Sequence, residues 1–276
     1  MLSASDEGLH ARPPGGEAWQ ENCFLLGRDA GRDVSVYVHV ERMADGVEVK
    51  AAVDVGGSTT WQMTGDDWWP DVEVAYERLA VSWTGGDLRI DLTLESHLAP
   101  ADHGAALAAL QLPGTERDHY EVVGRMLGTV AIDGDEVHLD GLFVRDHTWG
   151  VRQYQQFGNS WWWPTCFDGG DAYLGGVAVD VGGQTLGYGI VVDGDGQAAG
   201  TDVAIDVDGE ARPGAYTGTT VRFTPAGREP VVCVGVVDHH LCTTFPAFGP
   251  DRRWNEGFSS CRWGDRIGFG TRELGC

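Results

Sequence analysis

Lysine is almost missing from this chain. Lys50 is the only one among 276 residues, so arginine carries nearly all of the positive charge. There is little to carry: 19 basic residues stand against 42 acidic ones, a formal net charge of −23. Such a chain repels phosphate backbones, which argues against a nucleic-acid partner, and it is repelled by anionic lipid surfaces. The acid excess reads as a solvated surface. No stretch approaches the roughly 18 consecutive apolar residues of a membrane-spanning helix, so no integral membrane association is expected. The first 21 residues lack a basic stretch followed by an apolar one, hence no secretory signal and an expected cytoplasmic location.

Several site types are missing too. The six cysteines (Cys23, Cys166, Cys233, Cys242, Cys261, Cys276) include no Cys-x-x-Cys pair, and without a signal peptide they read as reduced core thiols. There is no Walker A loop, no dinucleotide fingerprint and no Gly-x-Ser-x-Gly elbow. Asp238-His239-His240 invites a metal reading, but adjacent ligands on a strand diverge. Asp193-Gly194-Asp195-Gly196 and Asp206-Val207-Asp208-Gly209 lack the distal Glu of a calcium loop and read as acidic turns. The expectation is no metal and no cofactor.

What is present is strand pattern, glycine and tryptophan: 41 Gly and 11 Trp. Residues 1–18 read as a loose lead-in rich in Gly, Pro and charge. Clean period-2 alternation follows at 34–41, 47–55, 79–84 and 88–95, with turn signals between. Residues 119–132 and 137–144 form an expected hairpin around Asp133-Gly134-Asp135. Further strands are expected at 172–181, 185–192, 203–207, 231–237, 257–263 and 267–273, and a short helix over 101–110. Many short strands with turn signals indicate a barrel or sandwich. Trp19-x-x-x-Cys23-Phe24 and Trp162-x-x-x-Cys166-Phe167 echo one another. They suggest two related β units, 19–155 and 156–276.

The densest chemistry follows an alternating strand: Arg145-Asp146-His147-Thr148-Trp149-Gly150-Val151-Arg152. A strand needs only alternation, whereas charged groups packed beside indoles suit an acid–base site. Asp146 is the first candidate for a proton donor: apolar surroundings raise a carboxyl pKa, while neighbouring arginines lower it. In an ideal strand Asp146 shares a face with Thr148, opposite Arg145 and His147. Arg152 could fold back onto it through Gly150. The competing reading is a structural salt bridge from Asp146 to Arg145 or Arg152, with His147 a structural hydrogen-bonding histidine. Trp161-Trp162-Trp163, preceded by Tyr154, cannot all face one core from one strand. They form either an aromatic wall for an apolar ligand or a core plug with one outlying ring.

His119-Tyr120-Glu121, Gly128-Thr129-Val130, Asp140-Gly141 and the run from Arg145 to Arg152 together resemble the central motif of the AttH/CrtC-like proteins, which include carotenoid 1,2-hydratases, kievitone hydratase and fungal lipocalin-like Diels–Alderases. Asn255-Glu256-Gly257-Phe258, Arg262-Trp263-Gly264-Asp265-Arg266, Gly268, Gly270 and Glu273 resemble its closing hairpin, and Trp19 and Glu21 its opening strand. The resemblance implies an all-β chain of two tandem lipocalin-like (calycin-type) barrel or sandwich units packed together around an apolar pocket. In the carotenoid hydratases a Trp-Asp-His-Asn stretch supplies the proton-donating acid; Asp146 and His147 match its central pair, and Arg145 and Thr148 replace its Trp and Asn. The implied activity is protonation of an alkene in a hydrophobic isoprenoid or polyene, for hydration or cyclisation. Asp146, His147 and Arg152 would be catalytic. Trp149, Tyr154, Trp161, Trp162, Trp163, Trp19, Glu21 and Trp263 would hold the substrate. Two alternatives remain open: pericyclic cyclisation, and non-catalytic binding of an apolar ligand.

Overall fold

The computed structural model describes residues 2–13, 19–44, 46–110, 117–151, 158–244 and 253–276. They divide into two compact units, Met1–Asp102 with Arg117–Arg152, and His103–Glu116 with Gln153–Cys276. Each holds one antiparallel sheet of ten strands.

The first sheet comprises β1 (Trp19–Asp29), β2 (Val34–Met43), β3 (Gly46–Val55), β4 (Ser58–Thr64), β5 (Asp71–Val74), β6 (Arg78–Gly85), β7 (Leu88–Glu95), β8 (Ala101–Asp102), β9 (Arg117–Ile132) and β10 (Asp135–Val151). Its order is β4-β3-β2-β1-β10-β9-β7-β6-β5, with β8 beside β9. The second comprises β11 (Ser160–Trp162), β12 (Thr165–Phe167), β13 (Ala172–Val181), β14 (Gln184–Asp193), β15 (Gly196–Gly200), β16 (Ala204–Gly209), β17 (Tyr216–Phe223), β18 (Val231–Thr244), β19 (Arg253–Trp263) and β20 (Arg266–Gly275). Its order is β15-β14-β13-β11-β20-β19-β18-β17-β16, with β12 also between β13 and β20.

The two orders correspond position for position, the two-residue β8 aside, once β11 and β12 are counted as one strand interrupted at Pro164, which has no N–H to give the ladder. The repeat therefore lies in topology. The Trp-x-x-x-Cys-Phe echo falls on equivalent strands but on opposite faces: Cys23 joins the first core, whereas in the second unit it is Phe167, the residue after Cys166, that does.

Alternation builds each core. Val34, Val36, Val38 and Val40 of β2 meet Val49, Ala51 and Val53 of β3, Leu79, Val81 and Trp83 of β6, and Leu88, Ile90, Leu92 and Leu94 of β7. The first sheet curls until β4 comes against β6, and Trp68 Nε1 donates to the Ser82 carbonyl across that gap at 2.8 Å. In the second unit, Ala226 N donates to Ala199 O of β15 (2.9 Å). β9 and β10 run 16 and 17 residues, turning at Asp133-Gly134, both with positive φ (52° and 89°) as a tight hairpin turn requires.

The helix is shorter than the sequence suggests, Gly104–Leu110, because Ala101 and Asp102 pair with Glu121 and Tyr120 of β9. Four cysteines (Cys23, Cys166, Cys233, Cys261) are buried free thiols, whereas Cys242 is exposed and Cys276 half-buried, so these two are not core thiols. Among the described residues no helix is long and apolar enough to cross a membrane.

Candidate functional site

The pleat of β10 deals the Arg-Asp-His-Thr-Trp motif alternately to two faces. Phe143, Arg145, His147 and Trp149 turn into the first unit's core side. Asp146 and Thr148 turn to the other face. Two polar clusters result.

The inner cluster is built around Arg145, 3% exposed. Its Nη2 donates to Glu7 Oε1 at 2.7 Å and its Nη1 to Glu7 Oε2 at 3.0 Å. Glu7 comes from a short 3₁₀ turn, Ala4–Glu7, so the segment read as a loose lead-in delivers a carboxylate to the barrel interior. The Tyr120 hydroxyl donates to Glu7 Oε2 (2.8 Å) and stands 3.2 Å from His147 Nδ1. His147 Nε2 lies 3.1 Å from Glu21 Oε1, and His10 Nδ1 lies 2.8 Å from the same oxygen. Trp149 stacks on His10 (centroids 4.1 Å, planes 10° apart), and Trp69 sets its edge against His147 at 5.0 Å.

Burial alone would raise the Glu7 carboxyl, but Arg145, Tyr120 and the Tyr76 N–H together hold it below its ordinary value. Burial likewise opposes ionisation of Glu21, and hydrogen bonds from His147 and His10 reverse the sign, so its pKa is lowered. For His147 burial wins: its pKa is lowered despite Glu21 beside it.

The outer cluster belongs to Asp146. Its Oδ1 accepts from the Phe24 N–H (3.0 Å), and its Oδ2 from Thr148 Oγ1 (3.2 Å). His119 Nε2 stands 3.4 Å from that same Oδ2 and 3.3 Å from Glu121 Oε1. The hairpin register produces this: Asp146 pairs with Glu121, and Thr148 with His119. Burial disfavours a charged His119, but the Asp146 and Glu121 carboxylates beside its Nε2 prevail and raise its pKa. The Asp146 side chain keeps 21% of its surface accessible while His119 keeps 2%. Phe24, opposite Asp146 on β1, begins an aromatic group with Tyr37 (5.6 Å, edge-on), His39 (6.2 Å) and, through Tyr37, Trp61 (5.6 Å).

A profile described as a domain of unknown function, DUF7064, matches residues 3–275. The chain belongs to the DUF7064 family. No curated protein matches it in sequence. Solved structures do resemble it. A structure described as an AttH (NE1406) from Nitrosomonas europaea is 12% identical with a TM-score of 0.66, covering 97% of this chain and 99% of that one. CghA with Sch210972 is 12% identical, TM-score 0.64, over 97% and 93%. Kievitone hydratase from Nectria haematococca is 11% identical, TM-score 0.61, over 93% and 87%. This DUF7064 chain thus has the AttH-like lipocalin fold expected from its motifs.

The remaining residues singled out by sequence fall as follows. Asp146 and His147 lie on opposite faces of β10. Glu21 joins His147, with Trp149 stacked beside them. Trp19 is buried where β1 pairs with Val151. Trp161 and Trp163 enter the second unit's core, and Trp162, also buried, lies 6.1 Å from the His103 ring. Trp263 is half-buried, with the Arg266 guanidinium over its ring at 4.8 Å. Arg152 and Tyr154 lie outside the described residues.

Sequence reasoning missed His119 and Glu121 as partners of Asp146, Glu7 and His10 as partners of the inner cluster, and Phe24, Tyr37 and Trp61 as the aromatic group beside Asp146. The second unit has its own buried arginine, Arg272, 1% exposed. It donates to Thr165 Oγ1 (3.1 Å), the Thr271 carbonyl (2.9 Å) and Cys233 Sγ (3.2 Å), and it has no carboxylate partner among the described residues.

Proposed function

We propose that this protein is an acid–base enzyme of the hydratase or cyclase type, acting on an apolar small molecule that carries an alkene. The observation that carries the reading is His119, a buried imidazole held between the carboxylates of Glu121 and Asp146, of which only Asp146 is partly accessible. His119 N–H passes a proton to Asp146, and Asp146 delivers it to the alkene carbon. The cation then takes up water or an internal π-bond, and the proton released returns to the His119–Glu121 pair. Phe24, paired with Asp146 across the β1–β10 ladder, sets a π-system beside the acid, which favours a cation. A positioned general acid contributes roughly 10²–10⁴-fold; enclosure and electrostatic stabilisation supply the remainder. The fold shared with a kievitone hydratase supports a reading of this type.

The test is solvent extraction and mass spectrometry of the protein purified from its own host, wild type against Asp146→Asn. Product on the wild type and unreacted precursor on the variant support the reading. Full conversion by Asp146→Asn removes the proton-donor role and favours a pericyclic cyclase. The same unconverted molecule on both makes the protein a carrier.

A further inference from the structure

The inner cluster has a feature that proton transfer at Asp146 does not use. Two imidazole nitrogens and a carboxylate oxygen converge: His10 Nδ1, His147 Nε2 and Glu21 Oε1 all lie within 4.8 Å of one another. We propose that His10, Glu21 and His147 form a binding site for one divalent transition-metal ion of the zinc class, on the opposite face of β10 from Asp146.

The hydrogen-bond partners around the three donors suit a cation. Tyr120 has one hydroxyl proton and donates it to Glu7 Oε2 at 2.8 Å. His147 Nδ1, 3.2 Å from the Tyr120 oxygen, then has an acceptor for an N–H of its own, in the tautomer that a metal at Nε2 requires. A neutral imidazole with its hydrogen on Nδ1 presents a lone pair at Nε2, and that lone pair faces Glu21 Oε1 at 3.1 Å. In this tautomer a cation between the two acceptors replaces the His147–Glu21 hydrogen bond of the metal-free site, while the His10 backbone N–H keeps its 2.9 Å hydrogen bond to the same oxygen. A metal ion satisfies both, and it draws on the second imidazole, His10, aimed at the same oxygen.

The surroundings are those of a metal site. Ligating histidines donate their other ring N–H to an oxygen that fixes tautomer and orientation. Tyr120 serves His147 in this way, and Asp6 Oδ1 lies 3.9 Å from His10 Nε2. Two His and one carboxylate with an open fourth position is an established zinc set, and an ion about 2.1 Å from each donor holds donors roughly 3–4 Å apart. Only slight movement is needed from the present spacing. Glu21 and His147 are buried, while the His10 side chain is 22% exposed and leaves an entry path. Because His10 precedes β1 and the other two ligands sit on β1 and β10, the ion would pin the N-terminal segment to the barrel wall.

The test uses the full chain, stripped with a chelator and titrated with Zn²⁺ by calorimetry and native mass spectrometry. The expected result is one Zn²⁺ per chain, with a rise in melting temperature and protection of residues 2–13 from proteolysis. His10→Ala is expected to weaken binding at least about 10-fold and Tyr120→Phe about 10–100-fold. His138→Ala, a surface control, is expected to bind as wild type. Co²⁺ in place of Zn²⁺ should give the visible absorption of a four-coordinate site, absent in Glu21→Gln. His10 lies outside the strands, so its variant keeps the test valid where His147 or Glu21 variants fold poorly. Failure of the wild type to take up stoichiometric Zn²⁺, or unchanged affinity in His10→Ala, overturns the proposal. Asp146→Asn is expected to leave Zn²⁺ affinity unchanged, which keeps this result separate from the catalytic reading.

Discussion

Arg145 and Glu7, 138 residues apart in sequence, form a buried ion pair through two parallel hydrogen bonds of 2.7 and 3.0 Å. The contact fastens the N-terminal segment to the centre of the first sheet. Breaking a buried pair by removing one partner leaves an uncompensated charge, at a cost of about 3–5 kcal/mol. Glu7→Ala and Arg145→Met are each expected to lose about that much, read as a lower denaturant midpoint. The pH dependence follows from the lowered Glu7 pKa. A carboxyl whose pKa is depressed on folding contributes stability above its unfolded value and loses it as pH falls through the folded value. Wild type should therefore lose more stability than Glu7→Ala on acidification below about pH 4.5.

His119 carries the opposite sign. Its pKa is raised by Asp146 and Glu121 against burial, so its contribution is fully present below the unfolded value of about 6.5 and is lost as pH rises through the folded value. Histidine NMR titration should place His119 above the ordinary imidazole range. In Asp146→Asn the His119 pKa should fall, since one of the two carboxylates favouring the cation is gone. An unchanged His119 titration in that variant would mean the two groups are not coupled.

Arg272 offers a contrast with Arg145. No carboxylate is stranded by its removal, because its acceptors are a hydroxyl, a carbonyl and a thiol. Replacing even a whole buried ion pair by apolar side chains of similar volume is often neutral or stabilising by about 1–4 kcal/mol, and Arg272 leaves no ionic partner behind among the described residues. Arg272→Met is expected to fall in that range, with chemical denaturation as the measurement. A loss as large as that of Arg145→Met would mean that Arg272 organises the second core.

Gly128 sits on β9 with φ of 147°, and a Cβ there would lie 2.1 Å from the Asp91 carbonyl oxygen of β7. The three nearest atoms are all β7 backbone, which cannot rotate away. Gly128→Ala is expected to cost about 2 kcal/mol or more, measured by thermal and chemical unfolding.

The strands that alternate cleanly, such as 34–41 and 88–95, were legible because one face of each meets an apolar core. Others were not. β5, Asp-Val-Glu-Val, is exposed along its length, and β4, Ser-Thr-Thr-Trp-Gln-Met-Thr, is an outer strand with few apolar residues. Neither needs the pattern. β17 carries three Thr and one Gly among eight residues, so its pattern of burial is not an alternation of hydropathy. At the site, counting outward from the Asp133-Gly134 turn places Glu121 opposite Asp146, so the outer cluster is readable once that turn is fixed. Glu7 and His10 are not readable in this way. Their positions depend on where an aperiodic segment meets the barrel, and no local signal encodes that.

Both sheets place their last strand in the middle. β10 lies between β1 and β9, and β20 between the β11–β12 pair and β19. During synthesis, at about 5–20 residues per second, each sheet remains two unconnected halves until its final strand leaves the ribosome. For the second unit that strand is Arg266–Gly275. Loss of this strand would therefore not trim an edge but remove the seam that joins the halves, leaving two newly exposed strand margins as templates for aggregation.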